Sequence, residues 1–229
     1  MDTSYSYQDS LHLLNESEWN KLSFQSKGAV MQSVENEVAR REGRPPCNVS
    51  LYSDPPKNGK LSAGLYNRDS DSIGMNTYHL EGKADACLNT ILHEGRHAYQ
   101  EKAVKCEINH HNQDELREWR NNMKPGHYIS PEQNRMAYYK QPIEADAREY
   151  SAITMRQVQV EQKIQNRNKG IGSFVEKSAA SKEIASSGNK GIQSFRDKSN
   201  RVEGDSPSGF VAVTKSERAG QTSGGEQNR

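Results

Sequence analysis

Residues 88–97 read Leu88-Asn89-Thr90-Ile91-Leu92-His93-Glu94-Gly95-Arg96-His97. Leu88, Ile91 and Leu92 recur at helical spacing, which predicts an amphipathic helix over about residues 83–106 with its apolar face in a core. His93 and His97 stand four residues apart and share one face of that helix. Both imidazoles can therefore reach one Zn²⁺ ion. Glu94 lies about 100° around the helix from His93. It is close enough to such an ion to take a proton from water without binding the metal. The competing reading is a structural pair of histidines, and the buried-helix context favours the metal.

A catalytic zinc takes three protein ligands and keeps one position open. The extended spacing with Gly at 100 and His at 103 fails, because Gln100 and Ala103 stand there. The inverted HxxEH does not apply. A glutamate on a second helix is the remaining common arrangement. Gln141-Pro142-Ile143-Glu144-Ala145-Asp146-Ala147-Arg148-Glu149-Tyr150 supplies one. Pro142 sets the helix start, Glu144 falls in the first turn, and the small Ala145 and Ala147 allow close approach. Glu144 is the candidate third ligand, with Asp146 or Glu149 as substitutes. Asp146, Arg148 or Glu149 can orient a ligand from behind. An acidic helix start favoured by the macrodipole is the plainer alternative.

The surrounding pattern is α+β. Asn15 with Glu18 has capping-box spacing and opens a helix carrying Trp19 and Leu22. Val30, Met31, Val34 and Val38 predict a helix over 27–42, stopped by Gly43 and Pro45-Pro46. Residues 48–53 alternate as a strand. Residues 63–67 and 72–76 flank Arg68-Asp69-Ser70-Asp71 and read as a hairpin. A polar connection with Pro125-Gly126 and Pro131 follows, and the last helix spans 142–165. Helices, three short strands, a motif helix and a final helix make an α+β order.

The set His93-Glu94-x-x-His97 with Glu144-Ala145-Asp146-Ala147 resembles the gluzincin branch of the zincin metallopeptidases. It is most similar to small single-domain bacterial members, often carried by mobile elements or used as effectors. The leading helices and the hairpin ending in Ile73-Gly74-Met75-Asn76 fit that layout, so the resemblance covers about residues 15–165. Arg96 departs from it, being charged where these motifs usually carry an uncharged residue. It either faces solvent or pairs with a nearby carboxylate.

The resemblance implies a minimal zincin fold, one Zn²⁺ held by His93, His97 and Glu144, and Glu94 as general base in hydrolysis of a protein or peptide substrate. Tyr128, Tyr138, Tyr139, Tyr150, His127 and Arg148 are candidates to stabilise the oxyanion. The resemblance also implies an extended substrate paired to an edge strand. The layout makes 72–76 that edge, with Gly74 allowing close approach. His110-His111 reads as an exposed loop pair rather than a second metal site. The alternative from another class is a non-proteolytic metal-binding module, of a mobile element or secretion system, that recruits partners through its tail.

Composition separates that tail from the rest. The apolar set is 32% of 229 residues and 17 glycines add about 7%, short of the ~45–50% of a globular chain. The shortfall concentrates in residues 166–229, which hold 9 Gly, 11 Ser and few large apolar side chains. Such a segment cannot bury enough surface to order itself. The expected division is a folded domain over 1–165 and a flexible tail over 166–229. The tail has 11 basic and 7 acidic groups, net +4; residues 1–165 have 20 and 23, net −3.

Within the tail, residues 168–178 recur as 189–199 with eight of 11 positions identical. They read either as paired motifs presenting Ile and Phe to a protein partner or as a local duplication. The overall charge of +1 argues against a nucleic-acid binder. No run approaches the ~20 apolar residues of a membrane span. Cys47, Cys87 and Cys106 show no CxxC spacing and read as reduced thiols. The start Met1-Asp2-Thr3-Ser4-Tyr5 lacks a Sec signal, so synthesis in the cytoplasm is expected, with export through a specialised secretion system open.

Overall fold

The computed structural model describes residues 4–188, with side chains through residue 168. Three helices come first: α1 (Tyr7–Leu13), α2 (Glu16–Trp19) and α3 (Phe24–Glu42). The Ser6 and Ser23 hydroxyls cap α1 and α3 by accepting from the amides of Asp9 and Ser26, satisfying donors that a helix start leaves free. The capping box expected at Asn15 does not form. Its side-chain amide donates instead to the His12 carbonyl, and α2 is a single turn. Gly43 closes α3 in the left-handed conformation, φ 69°, as a C-terminal glycine does.

The sheet has strands β1 (Asn48–Tyr52), β2 (Gly64–Asn67) and β3 (Ser72–Asn76) in the order β1-β3-β2. β2 and β3 form the expected antiparallel hairpin, and β1 pairs with β3 in parallel. The expectation that 72–76 is an edge is therefore corrected: β3 is the central strand. Ile73, Gly74, Met75 and Asn76 are all buried. A strand buried along its length needs ladder partners on both sides. The edges are β1 and β2.

After α4 (Thr77–Leu80) comes the motif helix α5 (Ala84–Val104), then α6 (Gln113–Asn122), α7 (Arg135–Lys140) and α8 (Pro142–Gly188). The connection read as polar thus contains α6. Its Leu116 and Trp119 pack with Ala103 and Ile143 in a small satellite cluster. The main core joins Leu88, Ile91 and Leu92 of α5 to Val30, Met31 and Val34 of α3, Ile73 and Met75 of β3, and Trp19. Each such side chain contributes roughly 1.5–3 kcal/mol by leaving water.

α8 continues past the expected end at 165 to Gly188. The run Val175-Glu176-Lys177-Ser178-Ala179-Ala180-Ser181-Lys182-Glu183 has no proline and several good helix formers. The first repeat copy, 168–178, falls in this helix. The second copy and the remaining tail, with the partner-binding role considered for them, lie outside the described residues. Among the described residues no helix is long and apolar enough to cross a membrane.

Candidate metal centre

The core face of α5 fixes the rotation of that helix and turns His93 and His97 toward a cleft. Their Nε2 atoms lie 3.2 Å apart. Pro142 starts α8 beside α5, and Glu144 enters the same space. Its Oε2 is 3.3 Å from His93 Nε2 and its Oε1 is 3.5 Å from His97 Nε2. One ligand atom from each of the three residues falls within a 4.8 Å group. Asp146 and Glu149, the substitutes for Glu144, are not part of it.

The donor set fits a metal ion. Two imidazole nitrogens and one carboxylate oxygen are the ligands of a catalytic zinc site. Glu144 is buried, and among the described residues its Oε2 accepts no well-formed hydrogen bond, with His93 Nε2 3.3 Å away. A buried anionic oxygen without a partner is costly unless a cation meets it. Burial by itself would raise the Glu144 carboxyl, but the neighbouring His93 and His97 and the Tyr138 hydroxyl outweigh it and hold it at about 2. Burial would lower His93, yet the Glu144 contact and the Glu94 and Glu144 charges raise it. Imidazole and carboxylate thus favour each other's charged forms across the centre.

The cleft holds about 390 Å³ and is lined by Gly64, Leu65 and Tyr66 of β2 together with Met123, Tyr128, Tyr138 and Ile143. Glu94 also faces it, and its Oε2 accepts from the Tyr66 backbone amide at 2.9 Å. β2 comes this close because of Gly64, where a Cβ would lie 2.8 Å from Thr90 Cγ2 and 3.0 Å from the Gly74 carbonyl oxygen. Tyr128 donates to Glu144 Oε1 at 3.1 Å. Burial and the Glu144 charge raise the phenols of Tyr128 and Tyr138, so both are hydrogen-bond donors at neutral pH.

Arg96 does not face solvent. It grips Asp146 through Nε at 2.9 Å and Nη2 at 3.1 Å, and reaches Glu42 at 3.2 Å. Its guanidinium lies over the rings of Tyr99 and Tyr150. Behind it, Arg44 and Glu35 form a fully buried bidentate pair, and Arg44 Nε also bonds Glu42. Gly95 leaves room for this pair: a Cβ there would lie 2.9 Å from both Arg44 Nη2 and Glu35 Oε2.

Of the remaining candidates, Tyr150 stacks on Arg96 outside the cleft lining. Arg148 donates to the Tyr139 carbonyl and covers that ring. The His127 carbonyl accepts from Asn122, and its side chain is not in the lining. His110 bonds Tyr99 and Glu115 and packs on Trp119. Two contributors escaped sequence reading. Gln100, three residues after His97 on the same face, bonds His97 Nδ1 at 2.9 Å, and its spacing was an available signal. Tyr66 acts through its backbone, which leaves no mark in the sequence.

The chain matches no family model, no curated protein and no solved structure.

Proposed function

We propose that the chain is a zinc-dependent peptidase of gluzincin type, hydrolysing peptide bonds of a protein substrate. The observation that carries this reading is the convergence of His93 Nε2, His97 Nε2 and a Glu144 carboxylate oxygen in a cleft that Glu94 also lines. Bound there, the ion would polarise the scissile carbonyl and supply a nucleophilic water at neutral pH. Glu94 takes the proton from that water and passes it to the leaving amine. The Tyr66 amide orients its carboxylate for both transfers. Tyr128 and Tyr138, donors on the cleft wall, are placed to meet the oxyanion. β2, an edge strand on the cleft, offers backbone groups to an extended substrate.

The test joins metal analysis to a peptide-library digest. Wild type should hold one zinc per chain and cut peptides. Glu94→Gln should keep the zinc and lose about 10²–10⁴-fold in rate, and His93→Ala should lose both. Zinc-bound wild type that cuts nothing in the library or in a proteome digest would overturn the peptidase reading and favour a metal-binding module. A wild type without zinc would overturn the centre itself.

A further inference from the structure

Gln100 is fully buried, and its three hydrogen bonds determine which way its amide points. The Nε2 end lies 2.9 Å from the Ile143 carbonyl and 2.6 Å from Asp146 Oδ2. Both partners only accept, so this end must be the NH₂ group. The other end, Oε1, lies 2.9 Å from His97 Nδ1 and can only accept. His97 Nδ1 therefore carries a proton, and the lone pair of the neutral imidazole is on Nε2, the atom that faces His93 and Glu144.

We propose that Gln100 is a positioning residue that locks His97 in the Nδ1–H tautomer and couples it to the Asp146–Arg96 ion pair. This rests on reading His93, His97 and Glu144 as a metal centre. Three features support it. The bond to the Ile143 carbonyl ties α5 to α8 one residue from Glu144, so a single amide sets both a ligand's tautomer and the spacing of the ligand helices. Asp146 accepts from Gln100 and Arg96 together, and Arg96 is held by Glu42. The chain continues through Arg44 to Glu35, so α3 braces the imidazole from across the domain. A ligand braced in this way binds metal more tightly, and losing the brace typically costs 10–100-fold in affinity.

The test uses the full chain and Zn²⁺ in competition with a chromophoric chelator. Gln100→Leu keeps similar bulk and removes the amide, and should weaken Zn²⁺ binding about 10–100-fold. Nitrogen-15 NMR of Zn²⁺-loaded Gln100→Leu should show loss of the hydrogen-bonded, exchange-protected His97 Nδ1–H signal, which a purely packing role would leave in place. Equal affinity in wild type and Gln100→Leu, or an unchanged Nδ1–H signal in the folded variant, would overturn the proposal.

A measurement on wild type avoids any folding defect. Nitrogen-15 NMR of histidine-labelled, Zn²⁺-loaded protein should show His97 protonated at Nδ1 and metal-bound at Nε2. The reverse pattern would overturn the role of Gln100 while leaving the metal centre intact. Absence of stoichiometric zinc in wild type would instead overturn the centre and this proposal with it.

Discussion

The backbone amide of Tyr66 donates to Glu94 Oε2 at 2.9 Å. This bond ties an edge strand of the sheet to the carboxylate proposed to move the proton. The Tyr66 N–H points away from β3, so proline at 66 would break no ladder bond. Tyr66→Pro should keep zinc and lower kcat by about 10-fold or more by releasing Glu94. Met75→Pro, on the central strand between Leu51 of β1 and Gly64 of β2, should leave no folded protein. Circular dichroism beside a rate assay checks both. Unchanged kcat in Tyr66→Pro would count against the role of the amide.

Metal removal should loosen the domain. Three ligand groups crowd within 4.8 Å, and among the described residues Glu144 Oε2 accepts no hydrogen bond. At free zinc near a thousand times Kd, binding adds about 4 kcal/mol. Chelation should then lower Tm by roughly 10 °C for a domain of this size, and restored zinc should return it. A calorimetric scan with and without chelator is the measurement, and an unchanged Tm would contradict the coupling.

Gly95→Ala should cost about 3 kcal/mol. The new Cβ would press on the buried Arg44–Glu35 pair at 2.9 Å, and separating a buried ion pair is costly. Because Arg44 also bonds Glu42, which holds Arg96, zinc affinity should fall as well. Urea unfolding together with a zinc titration gives the two numbers. A fully stable variant would show that the pair can shift without loss.

The three thiols should differ in reactivity. Cys47 and Cys87 are buried and Cys106 is exposed. Burial, reinforced by the Glu35 charge, pushes Cys47 up to about 12, and burial pushes Cys87 to about 12. Thiolate is the reacting form. An alkylating reagent at pH 8 should label Cys106 alone in the native protein and all three in denaturant. Mass spectrometry of the digested protein reads the sites, and rapid labelling of Cys47 would contradict the packing.

The hairpin turn should contribute to acid sensitivity. Burial would raise the Asp71 carboxyl, but Lys102 at 2.6 Å and the Tyr66 hydroxyl at 3.0 Å bring it below the usual carboxylate value. A group whose folded pKa is depressed stabilises the fold above its unfolded pKa of about 3.9. That contribution is lost as pH falls through the folded value. Asp71→Asn should lower stability at pH 7 and flatten the fall of stability below about pH 4. Parallel acid titrations of wild type and variant would show it.

How much was legible depended on range along the chain. The motif helix could be read because Leu88, Ile91, Leu92, His93 and His97 lie within ten consecutive residues, where the helical period alone sets which face each occupies. Gly43, Pro142 and the β2–β3 hairpin were legible for the same local reason. Asn15 misled because its capping spacing is only a propensity, and its amide found the His12 carbonyl instead. Leu116 and Trp119 were too few for a clear period in a polar context, so α6 was missed.

The sequence by itself determined the α+β order, the helix carrying both histidines and the short set of carboxylates able to join them. Tertiary structure decided the rest. It placed Glu144 rather than Asp146 or Glu149 against the imidazoles, put β3 between β1 and β2, and turned Arg96 inward onto Asp146. It also set Gln100 between His97 and Asp146. Each of these pairs groups far apart in sequence or competing for one partner. Such contacts depend on how elements pack after their local conformations form, and no short-range period encodes that.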